Sequence, residues 1–150
     1  MAAPTPTKDR ITCHILDTTT GRPARGVRVR LSSPGSTRNS ADPTLPPTLS
    51  GASKTFESLT DDDGRVKSWL PYSSATASGD VPVYTLEDVL GDIRGPSRWT
   101  LRFDVEGYFA DQGKDCFFPE VVVVFNVQEG QGYHVPLLLS PFSYTTYRGS

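Results

Sequence analysis

Short segments in which apolar and polar residues alternate constrain the fold of this chain more than any other feature of its sequence. Alternation with a period of two is the pattern of a β-strand with one buried and one exposed face. Residues 11–16 follow it, and their two faces are formed by Ile11, Cys13 and Ile15 and by Thr12, His14 and Leu16. Residues 27–31 follow it too, with Arg28 and Arg30 turned outward. We expect these two segments to be consecutive strands of one sheet.

Further strands are predicted in the second half of the chain. Residues 99–105 alternate from Trp99 to Val105, which indicates a strand with one wet face. The apolar run 121–127 suits a strand that is buried on both faces. The turn at residues 60–66 leads into another strand, and two more are expected at residues 133–139 and 144–147.

Helical spacing is limited to two short stretches. Leu86, Val89, Leu90 and Ile93 recur at helical intervals behind Thr85, which is a residue type suited to an N-cap. A helical turn is also expected near residues 108–113. The 13 glycines and 13 prolines favour many turns. Together these patterns predict an all-β fold, a two-sheet β-sandwich with one or two short helices.

A chain of 150 residues is long enough for one domain with a hydrophobic core. We expect residues 1–9 to be a disordered lead-in and residues 10–150 to form the domain. Residues 32–55 are rich in Ser, Thr, Pro and Gly without a period, which predicts a long polar surface loop. A second polar stretch runs through residues 72–82.

Charge and composition narrow the class of partner and the compartment. The 15 basic and 17 acidic residues give a net charge of −2, so no nucleic-acid partner is expected. No apolar run is long enough to cross a bilayer, and the amino end lacks the apolar stretch of a secretory signal. We expect a cytoplasmic protein with separate reduced thiols at Cys13 and Cys116. The peroxisome is the alternative, although residues 147–150 do not match the Ser-Lys-Leu address.

Few residues offer chemistry on their own. His14 and His134 both lie inside predicted strands, where a lone histidine is most often a structural residue. Cys13 and His14 point to opposite faces, and residues 61–64 form only part of a calcium loop, so no metal site is expected. The sequence has neither a Gly-x-Ser-x-Gly nucleophile turn nor a glycine-rich phosphate loop. The residues alone indicate a soluble β-sandwich with two histidines and many exposed arginines, and they give no support to a nucleotide cofactor.

Three separated segments carry a resemblance when they are read together. The first is residues 11–17 with 21–24 and 26–27, the second is residues 60–65, and the third is residues 117–121, 133–141 and 144–150. Together they resemble the transthyretin-like family, and specifically its 5-hydroxyisourate hydrolase branch. The terminal Tyr-Arg-Gly-Ser is the mark that separates the enzymes of the family from its hormone carriers. The resemblance leaves out the loop at 32–55 and an insertion at 71–97, both longer here than is usual in the family.

The resemblance implies a transthyretin-like β-sandwich and a set of site residues. The implied catalytic residues are His14, Arg65, His134 and Ser150. The implied substrate contacts are His14, Arg65, Tyr147, Arg148 and Gly149. It also implies a homotetramer, a dimer of dimers with its sites where subunits meet. Such an assembly would explain why His14 faces away from the core of its own subunit.

The implied reaction is the opening of the cyclic amide of 5-hydroxyisourate by water, on the way from urate to allantoin, without a cofactor. His14 and His134 would share water activation and proton transfer, and Arg65 would bind the substrate and stabilise negative charge. Taken singly, Arg65 reads as a surface residue of a turn and residues 147–150 as a frayed end. A non-catalytic carrier of small ligands and a structural or adhesive module are the alternative functions.

Overall fold

The computed structural model describes residues 9–34, 54–72 and 84–149. Within these ranges the chain forms ten strands and two short helices, and the strands make two sheets of five. The predicted two-sheet β-sandwich with one or two short helices is therefore confirmed. The first sheet consists of β1 (Ile11–Asp17), β2 (Arg22–Pro23), β5 (Arg65–Val66), β9 (Tyr133–Ser140) and β10 (Ser143–Thr146). Its order is β10-β9-β1-β2, and β5 also pairs with β1.

The second sheet lies against the first. It consists of β3 (Arg28–Ser32), β4 (Thr55–Leu59), β6 (Leu70–Tyr72), β7 (Ser97–Asp104) and β8 (Glu120–Val127). Its order is β6-β4-β3-β7-β8, and its strand pairs are all antiparallel. β8 and β10 are therefore edge strands of their respective sheets.

The pairing of β1 with β9 is the one parallel pair between the strands named above. Its register is continuous, from Ile11 opposite Tyr133 to Asp17 opposite Leu139. The pair lies in the middle of the first sheet, because β10 flanks β9 and both β2 and β5 flank β1. Residues from the two ends of the chain therefore share one outward surface.

The core fills the space between the sheets. Ile11, Cys13 and Ile15 are fully buried, while Thr12, His14 and Leu16 are only partly buried, so the two predicted faces of β1 are confirmed. The largest fully buried side chains are Trp99, Phe56, Phe103 and Phe109. Burial of such aromatic and aliphatic surface is the main favourable contribution to folding.

The predicted helix that follows Thr85 is confirmed as α1 (Leu86–Asp92), and a capping box closes its N-terminus. The Thr85 hydroxyl accepts from the Asp88 N–H at 3.1 Å, and the Asp88 carboxylate accepts from the Thr85 N–H at 2.9 Å. A second helix, α2 (Val105–Ala110), begins before the helical turn expected at 108–113. Val105 starts this helix instead of ending β7, because Asp104 caps it by accepting from the Gly107 N–H at 3.0 Å.

The expectation that the first two alternating segments are neighbours in one sheet was wrong. β1 belongs to the first sheet and β3 to the second. Gly26, with a φ of 74°, lies at the crossing, and its N–H donates to the Thr60 carbonyl at 2.9 Å. The N–H of Val27 then donates to the Thr60 hydroxyl at 2.9 Å. Alternation of apolar and polar residues shows which face of a strand is buried, but the pattern is the same in both sheets and so cannot show which sheet the strand joins.

The expectation that residues 121–127 are buried on both faces was also wrong. β8 is an edge strand, and Val122 and Val124 on its outer face are 41% and 56% exposed. An edge strand of a two-layer sandwich packs one face on the core, whatever its composition.

Two short strands lie at the boundaries of the predicted polar segments. β4 begins at Thr55, directly opposite Ser32 of β3, so the predicted loop ends in an antiparallel pair. β6 pairs with β4 at the start of the 71–97 stretch, which also contains α1. Most of the loop at 32–55, the lead-in through residue 8 and residues 73–83 lie outside the described residues. Neither described helix is long and apolar enough to span a membrane.

Candidate active site

His14 and Arg65 lie side by side on the outward face of the first sheet. β1 and β5 are antiparallel, and their register places His14 directly opposite Arg65. Both side chains are partly buried. The predicted orientation of His14, away from the core, is confirmed. A base and a permanent cation, separated by 51 positions in the sequence, are thereby neighbours on the same face of the sheet.

A tight turn before β5 brings Arg65 to this position. The carboxylate of Asp61 accepts from the N–H groups of Asp63 and Arg65, each at 2.9 Å. Gly64 follows with a φ of 73°, and a Cβ at this position would clash with the carbonyl oxygen of Ile15. The turn and β1 also approach closely enough for the Ile15 N–H to donate to the Gly64 carbonyl at 2.8 Å. Glycine is needed here both for its backbone conformation and for its lack of a side chain.

His134 joins His14 on the same face through the parallel pair. Its position on β9 is directly opposite Thr12, two residues before His14. The two imidazole rings are stacked, with centroids 6.2 Å apart and planes inclined by 27°. Nδ1 of His134 lies 2.8 Å from Oγ1 of Thr12. The two histidines of the chain therefore form one pair.

The carboxyl-terminal segment closes one side of the pair. The N–H of Gly149 donates to the carbonyl of His134 at 2.8 Å, and the two residues form an isolated β-bridge. A Cβ at Gly149 would stand 2.7 Å from Cδ2 of His134 and 3.0 Å from Cγ of Pro136. The backbone of Gly149 thus lies directly against the imidazole. Thr146 anchors the preceding residues by donating its hydroxyl to the Pro136 carbonyl at 2.8 Å.

Tyr147 and Arg148 line a groove beside His134. The groove has a volume of about 400 Å³ and lies between the ends of β8 and β10. Tyr147 is 56% exposed, and the Arg148 guanidinium lies over the Tyr133 ring, 5.0 Å from its centroid. Of the residues that the resemblance implied, His14, Arg65, His134 and Gly149 come together, with Tyr147 and Arg148 next to them. Ser150 lies outside the described residues.

The surroundings of His14 favour its neutral form. Partial burial lowers the pKa of His14, and the Arg65 charge lowers it further. Hydrogen bonding with the backbone of Asp63 and the charges of Asp61 and Asp63 act in the opposite direction without reversing the shift. The net pKa is below its ordinary value of about 6.5. His14 is therefore a neutral imidazole, able to accept a proton, at physiological pH.

Other chemistry has weaker support in the described ranges. They contain no group of three or more His, Cys, Asp or Glu side chains placed to hold a metal ion. Cys13 is in the core, where burial raises the pKa of its thiol. The pKa of Cys116 is also raised, by desolvation and by the neighbouring carboxylates of Glu106, Asp115 and Asp104. Neither thiol is activated as a nucleophile.

One site residue was missed by the sequence reasoning. Thr12 touches His134, although only its place on the same face as His14 had been noted. The available signal was that a hydroxyl shares the outward face of a strand with a histidine. The partner of Thr12 on β9 could not be identified, because the register between β1 and β9 cannot be predicted from the sequence of either strand.

The fold and the site together define a class: a transthyretin-like β-sandwich with an imidazole pair, a guanidinium and the carboxyl-terminal segment on the outward face of one sheet. Comparison with known proteins gives the same class. The profile described as "HIUase/Transthyretin family" matches residues 11–149. The chain belongs to this family.

The proteins similar to this chain include both 5-hydroxyisourate hydrolases and transthyretins. The chain is 36% identical to the 5-hydroxyisourate hydrolase of Mus musculus over 141 residues, 93% of this chain and 94% of the relative. The structure of Klebsiella pneumoniae 5-hydroxyisourate hydrolase is similar, with a TM-score of 0.57, 25% identity and coverage of 93% and 98%. The crystal structure of transthyretin from Sparus aurata is similar too, with a TM-score of 0.63, 25% identity and coverage of 93% and 96%. The shared fold therefore does not by itself separate hydrolases from transthyretins.

Proposed function

We propose that this chain hydrolyses 5-hydroxyisourate to 2-oxo-4-hydroxy-4-carboxy-5-ureidoimidazoline, in the degradation of urate to allantoin. The observation that carries the proposal is the convergence of His14, His134, Arg65 and Gly149 on one outward face. The mouse relative and the Klebsiella structure, both named as 5-hydroxyisourate hydrolases, support the substrate.

The imidazole pair suits the proton transfers of amide hydrolysis. Water adds to the ring carbonyl and gives up a proton, the C–N bond breaks, and the departing nitrogen receives a proton. A neutral imidazole can accept the first proton, and an imidazolium can donate the second. The lowered pKa of His14 supports its presence as a neutral base, and His134 lies near enough for one substrate to contact both rings. The pair performs both transfers.

Arg65 and the tail supply binding and charge stabilisation. A guanidinium offers several N–H donors in a planar fork, which suits a carbonyl-rich, acidic heterocycle. The same group stabilises the negative charge that develops on the attacked oxygen. Tyr147, Arg148 and Gly149 contact the substrate from the groove side, and Ser150 takes part in catalysis. The reaction needs no cofactor, because water is the nucleophile.

A carrier of small ligands is the second candidate function. It is favoured by the similarity to Sparus aurata transthyretin and by the groove of about 400 Å³ beside His134. A carrier, however, has no use for a neutral imidazole beside a guanidinium, and that arrangement favours hydrolysis. The two functions differ in turnover, which can be measured directly.

The test is the decay of freshly made 5-hydroxyisourate. Urate and urate oxidase generate the compound, and its ultraviolet absorbance is followed with and without the protein at micromolar concentration. We expect the protein to accelerate the decay well beyond the spontaneous rate. Arg98→Ala, which removes an exposed arginine of the second sheet, should leave that rate unchanged. An unchanged decay in the presence of folded parent protein would refute the hydrolase and leave the carrier.

The proposal includes a homotetramer, a dimer of dimers with the sites at subunit interfaces. Family membership supports an oligomer, and two features of the described chain support it further. β8 and β10 are edge strands, and Val122, Val124 and Tyr144 on them are exposed. Edge strands with apolar side chains are favoured sites for pairing with another chain. Light scattering coupled to size-exclusion chromatography tests the homotetramer, and a monomer at micromolar concentration would contradict it.

A cytoplasmic location, with the peroxisome as alternative, is a further proposal that cell fractionation tests.

A further inference from the structure

Thr12 has no role in the chemistry proposed above, yet it makes a close polar contact with the imidazole pair. It lies directly opposite His134, and its Oγ1 lies 2.8 Å from Nδ1 of that ring. Its side chain is partly buried, and a β-branched residue has few χ1 rotamers available in a strand. The hydroxyl is therefore held at the Nδ1 edge of the ring.

The Thr12 hydroxyl also has a second partner. It lies 3.4 Å from the carbonyl oxygen of Tyr133, to which it can donate. A hydroxyl has one proton to donate and two lone pairs that accept. Thr12 can therefore donate to an unprotonated Nδ1 of His134, or accept from Nδ1–H while donating to Tyr133. The hydrogen bond to Nδ1 persists in both protonation states of the ring.

The opposite edge of the ring is held by the carboxyl-terminal segment. The backbone of Gly149 lies so close to Cδ2 of His134 that no side chain fits between them. The imidazole is thus confined between a hydroxyl at Nδ1 and a backbone at Cδ2. Nε2 is then the nitrogen at which a proton can be gained or lost while Nδ1 stays hydrogen-bonded.

We infer that Thr12 is a positioning residue that holds His134 for proton transfer at Nε2. The inference rests on the proposed hydrolysis, because it assigns a partner to one of its two imidazoles. Nε2 can accept a proton only when Nδ1 of the neutral ring already carries its hydrogen, and the Thr12 oxygen accepts from Nδ1–H both before and after the transfer, without any movement of the ring. Groups that hold a catalytic imidazole in this way are worth about tenfold or more in activity.

The matched substitutions are Thr12→Val and Thr12→Ser. Valine keeps the branched shape and removes the hydroxyl, whereas serine keeps the hydroxyl. We expect Thr12→Val to lower kcat by about tenfold or more with KM changed by less than about twofold, and Thr12→Ser to restore most of the loss. Thr100→Val, at a partly buried strand position of the second sheet, is the control and should behave as the parent does.

A second readout does not depend on activity. The ¹⁵N resonances of the His134 ring should shift in Thr12→Val across the pH titration and stay near the parent values in Thr12→Ser. Full activity in Thr12→Val, a loss that serine does not restore, or unchanged ring resonances would each overturn the inference. If the parent protein were inactive on 5-hydroxyisourate, the proposed function would fall, and the resonances would still decide whether Thr12 holds the ring.

Discussion

Arg65 stands directly opposite His14 across the antiparallel pair of β1 and β5. The positive charge of Arg65 makes a second positive charge on the His14 imidazole unfavourable, and it adds to the effect of burial in lowering the pKa of His14. The residue that we assign to substrate binding therefore also sets the protonation state of its neighbour. Its two effects are separable by substitution.

Arg65→Ala should raise the pKa of His14 towards the ordinary value of about 6.5, because one of the two causes of its depression is removed. Arg65→Lys keeps the charge and should leave the pKa of His14 near that of the parent. Both variants should lose activity, the alanine variant by about 10²-fold or more, since lysine lacks the planar fork. Titration of the His14 ring by NMR measures the first effect. A pKa that stays unchanged in Arg65→Ala would show that Arg65 does not act on His14.

His14→Ala and His134→Ala should each slow turnover by about two to four orders of magnitude, if the two rings carry the proton transfers. In the parent, activity should fall as the pH drops through the lowered pKa of His14, because the neutral imidazole is the base. That acid limb should therefore lie below pH 6.5. The rates come from the absorbance assay, with circular dichroism as the check on folding. Parent-like rates in both variants would remove the histidines from the mechanism.

Gly149→Ala should reduce kcat by about 10- to 100-fold, because the added Cβ would stand 2.7 Å from Cδ2 of His134 and must displace the ring or the tail. The unfolding temperature should change little, since the segment adds little to the core. Gly91→Ala is the matched control, because a Cβ there meets nothing within 4 Å. It lies inside α1 and should raise stability by about 0.5–1 kcal/mol without a change in rate. Equal rates in the two variants would contradict the close packing at His134.

Removal of residues 147–150 should abolish most of the activity and leave the sandwich folded. Tyr147 is 56% exposed, and the segment contacts the rest through the Gly149 hydrogen bond to His134 and the Arg148 guanidinium over the Tyr133 ring. The loss of such peripheral contacts costs little free energy of unfolding. The far-ultraviolet spectrum and the unfolding midpoint of the truncated protein check this. Loss of the cooperative transition would mean that the tail is structural.

The carboxylate of Asp17 gives a prediction for stability against pH. Asp17 is fully buried, and it accepts from the Thr19 N–H at 3.0 Å and from the Tyr108 hydroxyl at 2.8 Å. Burial acts to raise the pKa of Asp17, but the hydrogen bonds from Thr19 and Tyr108 outweigh it and hold the pKa below its ordinary value. Burial and the bond to Asp17 in turn raise the pKa of Tyr108 to about 12, so the tyrosine stays a donor.

A carboxylate with a lowered folded pKa stabilises the protein above the unfolded pKa of about 3.9, and this stability is lost as the pH falls towards the folded value. Asp17→Asn should cost about 1–3 kcal/mol at neutral pH and should flatten the acid side of the stability curve. Denaturant unfolding between pH 3 and 7 measures both effects. Asp115→Asn, at an exposed position, is the control. If the stability of Asp17→Asn fell with pH as steeply as that of the parent, groups other than Asp17 would be responsible for the acid sensitivity.

The alternating segments predicted the core faces of β1, β3 and β7, because period-two burial is a local property of a strand. They did not predict β4, in which Phe56 is the one fully buried hydrophobic residue, or β6, with its three residues. The assignment of β1 and β3 to one sheet failed, since the crossing at Gly26 depends on Thr60, far along the chain. Pairing between distant segments is decided by packing of the whole molecule.

The site shows the same division. The outward orientation of His14 followed from alternation, whereas its neighbours depend on two registers, with β5 and with β9. The resemblance to the transthyretin-like family named His134, Arg65 and the tail without giving their distances. The close approach at Gly64 was not readable, because a glycine after three aspartates reads as an ordinary turn. The structure alone shows that it admits the backbone of β1.

The parallel pair of β1 and β9 has a consequence for how the protein is made. During synthesis β1 leaves the ribosome well before β9, which follows it by more than a hundred residues in the sequence. Until then the backbone N–H and C=O groups along that edge of β1 lack their partners, and the two imidazoles belong to separate regions of the nascent polypeptide. Long-range pairing of this kind is slow to form. Hydrolytic activity should therefore appear only after β9 and β10 have left the exit tunnel, and shorter nascent chains should have no activity.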